Sequence, residues 1–171
     1  MPSLSRERIG MSNWSVFMSY SRHDAALVGP LTQLLRITGG AVFRDLDSIQ
    51  PGTKWRVAIS SAIDSCETFL LFWCAHSLRS QEIRAEYEQA IALSRPVIPV
   101  LLDRSELPEE LAEYQTIDLS IALGDHLTPM QGMKGREAGY VLREPSTWEI
   151  EQAQEELVKG LASVVRREPD A

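Results

Sequence analysis

The stretch Thr68-Phe-Leu-Leu-Phe-Trp-Cys-Ala75 is the longest strongly apolar run of this chain, which has 171 residues. It is far shorter than the roughly 20 residues that a membrane-spanning helix needs, and we interpret 68–74 as a strand. The chain is 44% hydrophobic and 24% charged, a composition typical of soluble globular proteins. Its length fits one domain of ordinary size, large enough to bury a core.

On either side of this run, short apolar segments alternate with segments of helical period. The alternation predicts strands joined by helical crossovers, which build a parallel sheet with helices on both faces. The predicted strands are 15–20, 41–44, 68–74, 96–102 and 116–119; the predicted helices are 25–37, 53–65, 80–93, a short one at 109–113 and a last one from Ser146. We therefore expect a flavodoxin-like α/β fold, with five parallel strands in the order 2-1-3-4-5.

Local signals refine the helices. Ser80 is the expected N-cap of the third helix, and Ser146-Thr-Trp-Glu149 has the capping-box pattern that begins the last one. Pro30 is expected to kink the first helix or to delay its start. In the second helix, Trp55 and Ile59 recur at helical spacing, which predicts that both lie on its apolar face.

The domain organisation is simple. We interpret residues 1–12 as a flexible leader and 13–167 as a single domain. The stretch 121–145, before the last helix, contains glycine and shows no clear periodicity. Long connections of this kind are uncommon in compact domains and are often functional or mobile.

Charge and hydropathy argue against two kinds of partner, nucleic acid and membranes. The net charge is −7 with a pI near 5.0, which argues against nucleic acid, because binding its backbone needs a basic face. No apolar signal segment or membrane span is present in the sequence, so we expect a cytoplasmic protein with no membrane partner.

Cys66 and Cys74 would lie about 25 Å apart along one strand, which is too far for a disulfide. We expect both to be reduced, buried thiols.

The strand order predicts where a ligand would bind. In open parallel sheets, ligands lie beyond the carboxyl ends of the strands, where the strand order reverses. In the order 2-1-3-4-5 that point lies between strands one and three. The loops 19–24 and 74–80 should therefore form the site.

Familiar catalytic motifs are missing from the sequence. It contains no glycine-rich phosphate loop, GxSxG, CxxC or HExxH. The three histidines have no second ligand at metal spacing, so we predict neither a metal centre nor a cofactor. Carboxylates are left as the candidate catalytic groups.

Glu86 is the carboxylate that the helical pattern singles out. Steps of 100° around the third helix place it beside Ala90, on the flank of the apolar face, whereas Glu88 points the opposite way. A desolvated carboxylate needs a partner, a raised pKa or a function. The alternative to a functional role is a flanking glutamate satisfied by a neighbouring arginine or by backbone donors.

Three motifs bear a resemblance to the TIR domain family, in the family's order and spacing between about Trp14 and Leu119. The strand and polar turn Val16-Phe-Met-Ser-Tyr-Ser-Arg-His-Asp24 resemble the opening motif. Phe43-Arg-Asp-Leu-Asp-Ser-Ile-Gln-Pro-Gly52 resembles the loop after strand two. Phe72-Trp-Cys-Ala-His-Ser-Leu-Arg-Ser80, followed by Glu86, is similar to the strand and helix that carry the catalytic glutamate of TIR enzymes.

The resemblance implies a bacterial-type domain that cleaves NAD⁺ as its substrate, with Glu86 as the catalytic residue. One ionised carboxylate is enough for this reaction, because nicotinamide leaves from a positively charged ring and needs no proton, whereas most glycosidases use two. The product would be ADP-ribose or a cyclic ADP-ribose species, and the expected biology is defence against phage.

Several other residues are candidates for binding substrate. They are Ser19 and Tyr20 in the first turn, Arg44 at the end of strand two, and His76 and Ser80 before the third helix. For three of them a structural reading stays open: Arg44 as a surface residue paired with Asp45 or Asp47, His76 as a helix cap, and Ser80 as an N-cap. The resemblance also implies a loop for self-association with other TIR domains, formed by Asp45, Asp47, Pro51 and Gly52, although Pro-Gly chemistry alone explains a turn there.

One departure from the family concerns the position four residues before Glu86. Many NAD⁺-cleaving relatives have tryptophan there, and this chain has Glu82. The substitution removes an aromatic platform for the substrate. Trp73 or Tyr20 is a candidate substitute, although a tryptophan within a strand is more often part of the core.

Two other functions compete with NAD⁺ cleavage. Many TIR domains are non-enzymatic adaptors that signal through TIR–TIR contacts, and an adaptor has no need of a carboxylate on a partly apolar face. A nucleoside deoxyribosyltransferase-like enzyme, of related architecture, would also use a carboxylate at a sugar anomeric carbon. We rank the NAD⁺-cleaving enzyme first and the transferase last.

Overall fold

In a computed structural model, residues 14–37, 40–44, 51–52, 54–123, 127–129, 140–142 and 146–165 are described. Five strands form a parallel sheet: β1 Ser15–Ser19, β2 Ala41–Arg44, β3 Thr68–Trp73, β4 Val97–Leu101 and β5 Ile117–Asp118. Their spatial order is β2-β1-β3-β4-β5. The predicted fold class and strand order are thereby confirmed.

Helices cover both faces of this sheet. They are α1 Ala25–Ile37, α2 Trp55–Ser65, α3 Gln81–Ala92, α4 Ser120–Leu123 and α5 Thr147–Val165. Residues of α1 and α5 pack with one set of strand side chains, and residues of α2 and α3 pack with the other. Every residue of β3 is buried, which explains why this central strand reads as a continuous apolar run instead of an alternating one.

The predicted caps are present. Ser80 Oγ accepts a hydrogen bond from Ile83 N at 3.2 Å and so caps α3. At the start of α5, Ser146 N donates to Glu149 Oε2 at 2.7 Å and Glu149 N donates to Ser146 Oγ at 3.3 Å. These reciprocal bonds satisfy backbone groups that a helix end leaves without an intrahelical partner.

The predicted start of α1 is confirmed and Pro30 does not delay it, whereas the predicted start of α2 was wrong. Helix α1 begins at Ala25 although Pro30 lies inside it, because the 3-10 turn Arg22–Asp24, capped by Ser21, leads directly into it. Helix α2 begins at Trp55 and not at residue 53. The Trp55 side chain is 47% exposed, whereas Ile59 is buried. The first turn of α2 lies beyond the edge of the core, and the later turns pack on it.

The stretch 121–145 is more regular than predicted. Its first three residues belong to α4, which is a single helical turn. Two strands lie further along, β6 Leu127–Pro129 and β7 Tyr140–Leu142, and they pair antiparallel. Elements of three or four residues are too short to show a periodic pattern, which is why the sequence indicated none. The predicted leader 1–12 and the boundary at 167 lie outside the described residues.

Other expectations can be compared directly. The predicted short helix at 109–113 is a 3-10 turn at Glu109–Leu111. Cys66 and Cys74 are free and buried, as predicted. Among the residues described, no helix has the length and apolar character needed to span a membrane.

Gly160 lets α5 approach the sheet edge closely. A Cβ built there would lie 2.7 Å from Ile117 Cγ1 and 2.8 Å from Cγ2. We expect Gly160→Ala to lower the free energy of unfolding by up to about 2 kcal/mol, because overpacking costs about 1–3 kcal/mol and the gain in helix propensity returns about 1 kcal/mol. Urea denaturation measures this. Ser163→Ala, at an exposed position of the same helix, is the control and should leave stability nearly unchanged; a stabilised Gly160→Ala protein would contradict the close approach.

Candidate active site

The site forms where β1 and β3 lie side by side and the chain leaves both strands at the same edge. The loops that follow them touch. Asp24 Oδ2 lies 2.8 Å from Cys74 Sγ, and the rings of His23 and His76 stack with centroids 4.4 Å apart. The structure thus brings together the two loops that the strand order predicted.

Glu86 projects from α3 toward the end of β1. It is 8% exposed, and its Oε2 accepts a hydrogen bond of 2.5 Å from Ser19 Oγ, a buried contact. Glu88, by contrast, is exposed and pairs with Arg84 at 2.7 Å. The predicted placement of the two carboxylates is confirmed, and the Ser19 hydroxyl is one partner of Glu86.

Two adjoining clefts reach Glu86. The larger has a volume of about 630 Å³ and the smaller about 360 Å³, and both are lined by Trp55, Glu82 and Glu86. The larger cleft extends to the loops after β1 and β3. Its size is within the range of pockets that hold small organic molecules.

Three of the predicted binding residues line the larger cleft: Tyr20, His76 and Ser80. Ser80 Oγ is committed to capping α3 and also donates to Glu82 Oε2 at 3.3 Å. His76 makes no side-chain capping bond at the 3-10 turn that follows it. The cap interpretation is therefore wrong for His76 and right for Ser80.

The remaining predicted residues are placed less directly. Ser19 is 1% exposed and donates to Glu86, so its observed contact positions the carboxylate. The backbone of Arg44 lies in β2, but its side chain, like Asp45 and Asp47, lies outside the described residues. Pro51 and Gly52 form an exposed turn, in which Gly52 has φ +85, a conformation that favours glycine.

One aromatic and several cationic residues of the clefts were not predicted from the sequence. Trp55 lies beside Glu86 in both, and the Arg56 guanidinium is 5.2 Å from its ring centroid. Arg22 and Arg79 line the larger cleft. The sequence signal for Trp55 was its place soon after the Pro51-Gly52 turn, at the start of a helix. Its helical spacing with Ile59 favoured a position in the core instead.

Trp73, a predicted stacking platform, does not serve that purpose. Its side chain is 1% exposed and its Nε1 donates to Glu106 O at 3.0 Å. It packs against the edge of Tyr87, with ring centroids 6.3 Å apart. Trp73 belongs to the core, and of the two proposed substitutes Tyr20 alone borders the cleft.

A cluster of Asp24, Cys74 and His76 stands beside the larger cleft. One ligand-type atom from each lies within 4.8 Å of the others. Burial, with the Asp24 carboxylate adding to it, raises the pKa of the Cys74 thiol to about 12. Burial also lowers the pKa of His76, against the opposing effect of Asp24. The prediction of no metal centre stays a prediction, since sequence spacing did not anticipate that Asp24 and Cys74, 50 positions apart, meet beside His76.

Comparison with known proteins settles the family. The model of the TIR domain family matches residues 16–128, more than half of the chain. This chain belongs to the TIR domain family. The match contains all three motifs, the loops of the site and Glu86.

A solved structure of a TIR domain has a similar fold. The TIR domain of the Toll-related receptor TRR-2 from Hydra magnipapillata is similar, with a TM-score of 0.52 and 21% identity over 59% of this chain and 82% of that one. A 2-deoxyribosyltransferase from Bacillus psychrosaccharolyticus has a TM-score of 0.49 and 14% identity, over 61% and 84% of the two chains. A CMP N-glycosidase from Clostridium botulinum has 0.46 and 18%, over 61% and 88%. No curated protein matches this TIR domain.

The Ser19–Glu86 contact can be tested by a double-mutant cycle. Ser19→Ala should lower the free energy of unfolding by about 2 kcal/mol, because a buried carboxylate loses a hydroxyl donor. In a Glu86→Ala background the same change removes no such contact, and its cost should fall below about 1 kcal/mol. Urea denaturation of the four proteins measures the difference.

A matched control uses a serine away from the site. Ser65, exposed on α2, bonds its own helix through Ser61 O at 3.0 Å. Ser65→Ala should cost the same with and without Glu86. If Ser19→Ala also costs the same in both backgrounds, the two side chains are not energetically coupled.

Proposed function

We propose that this TIR domain cleaves the bond between nicotinamide and ribose in NAD⁺, with Glu86 as the catalytic residue. The observation that carries the proposal is the placement of Glu86. Its carboxylate is 8% exposed, is held by Ser19, and borders both clefts at the edge of the sheet where strand order reverses.

The reaction needs one anionic group at the sugar. The bond between ribose C1′ and the pyridinium nitrogen breaks, its electron pair leaves with neutral nicotinamide, and positive charge develops on the ribose. Glu86 accepts hydrogen bonds from the ribose hydroxyls and stabilises that charge, more strongly in a partly dry cleft than in water. Water then attacks C1′ and releases a proton to give ADP-ribose, or an atom of the substrate attacks to give a cyclic product.

The cleft supplies groups for the rest of the substrate. Arg22 and Arg79 line the part that reaches the loops after β1 and β3, and guanidinium groups pair well with phosphate oxygens. Trp55, which is exposed, and Tyr20, which is mostly buried, are the aromatic side chains that line the larger cleft together with Glu86. In this proposal they replace the tryptophan that many NAD⁺-cleaving relatives carry at the position of Glu82.

Self-association belongs to the proposal as well. The loop that ends in the exposed Pro51-Gly52 turn contacts a second TIR domain, and clustering raises activity in the course of antiviral defence. A non-enzymatic adaptor is the competing function. It would use the same contacts between TIR domains but would have no need of the Glu86 carboxylate.

The test is NAD⁺ consumption at high protein concentration, with nicotinamide and its partner product resolved by chromatography. Glu86→Gln keeps the shape of the side chain and removes its charge. We expect it to lower the turnover rate by about 100-fold or more, in the range seen when a stabilising transition-state group is removed. The unmodified protein should release one nicotinamide for each NAD⁺ consumed.

Glu88→Gln is the matched control, because Glu88 lies on the same helix two residues later and faces solvent. It should retain full activity. An active Glu86→Gln protein would remove Glu86 from the mechanism. Absence of NAD⁺ cleavage by the unmodified protein, even when clustered, would favour the adaptor.

A further inference from the structure

The Asp24–Cys74–His76 cluster is assembled from separate parts of the fold. Asp24 ends the 3-10 turn after β1, and Cys74 follows the last residue of β3 directly. His76 lies two residues further, before the next 3-10 turn. Asp24 and Cys74 are buried and His76 is half-buried, and His76 lines the larger cleft, so the cluster is next to solvent without facing it fully.

The distances in the cluster suit a tetrahedral metal ion. Cys74 Sγ lies 3.8 Å from His76 Nδ1 and 2.8 Å from Asp24 Oδ2, and the three ligand atoms all fall within 4.8 Å of one another. Zinc–sulfur bonds of about 2.3 Å and zinc–nitrogen or zinc–oxygen bonds of about 2.0–2.2 Å place tetrahedral ligands about 3.5 Å apart. Side-chain movements of less than about 1 Å would therefore bring the Cys74 sulfur to that separation from both His76 Nδ1 and Asp24 Oδ2.

The surroundings also suit a cation. Asp103 is buried and accepts a hydrogen bond from Ala75 N at 2.9 Å. Its negative charge, like that of Asp24, favours positive charge near His76. Ser77 Oγ lies 3.5 Å from the Cys74 sulfur and is fixed by donating to Phe72 O at 2.9 Å. Ser77 thus stands beside the Cys74 sulfur in the way that outer-shell groups do in metal sites.

We propose that Asp24, Cys74 and His76 bind one divalent cation of the zinc type, with the fourth coordination position open to the cleft. Thiolate with imidazole selects zinc and similar borderline-soft ions, whereas magnesium and calcium prefer sites built from oxygen atoms. On binding, the Cys74 S–H bond breaks, its electron pair is donated to the cation, and the proton passes to solvent. A neutral imidazole has a free lone pair on one ring nitrogen, so His76 can bind through Nδ1 without losing a proton.

A cation here would join the loop after β1 to the loop after β3. Both loops border the larger cleft, so the ion would hold the rim of the cleft without needing to take part in NAD⁺ cleavage. The site stands independently of the proposed function, because its residues and its test do not involve Glu86.

Cobalt(II) is the probe, since it occupies zinc sites and reports a thiolate ligand by a charge-transfer band in the near ultraviolet. We expect the full chain, reduced and free of metal, to bind one Co²⁺ with this band, and Zn²⁺ to abolish the band by displacement. At zinc concentrations about 100 times the dissociation constant, the thermal unfolding midpoint should rise by about 5 °C.

Variants separate the proposed site from adventitious binding. Cys74→Ala and His76→Ala should each lose the charge-transfer band or weaken Co²⁺ binding at least about 10-fold, as expected for loss of a ligand. Cys66→Ala removes the other cysteine, which is also buried and free, and should bind Co²⁺ normally. His76→Ala removes only a half-buried side chain, so it keeps the test valid if Cys74→Ala fails to fold. A missing band, or a band that depends on Cys66, would overturn the proposal.

Discussion

The hydrogen bond between Ser19 Oγ and Glu86 Oε2, 2.5 Å long, links the end of β1 to α3, two elements that are far apart in sequence. Removing a carboxylate from water is costly unless hydrogen-bond donors replace the lost solvent. Ser19 provides such a donor from a strand whose position is fixed by pairing on both sides. This contact lets the domain keep a carboxylate at the floor of its clefts, which is the constraint on which the candidate site depends.

The rest of the fold meets that constraint through the parallel sheet. Because β1 lies between β2 and β3, the chain leaves β1 and β3 next to each other and their loops form one rim. Ser80 starts α3 at this rim by capping it, and Glu86 follows in the second turn. Because these two loops are adjacent, Asp24 also lies against Cys74 and His76. The strand order therefore places both the candidate active site and the proposed cation site at this rim.

Much of this could be predicted from sequence, because some patterns have one physical reading. The buried run of β3 predicts a central strand, the caps at Ser80 and Ser146 predict helix starts, and helical spacing predicts a desolvated Glu86. Trp55 shows the limit: its spacing matches the core, yet its place in the first turn leaves it exposed. The strand order predicts that the loops 19–24 and 74–80 meet. Which side chains touch across them, such as Asp24 with Cys74, depends on how the loops pack, and sequence spacing does not specify that.

The most direct measurement is a crystal structure of the Glu86→Gln protein with NAD⁺ bound, since loss of the charge should preserve the substrate. We expect the nicotinamide ribose to lie against the side chain at position 86, with a ribose hydroxyl within hydrogen-bond distance of about 2.6–3.2 Å and the diphosphate near Arg22 or Arg79. NAD⁺ bound with its nicotinamide ribose remote from position 86, or no NAD⁺ bound in the clefts at all, would contradict it.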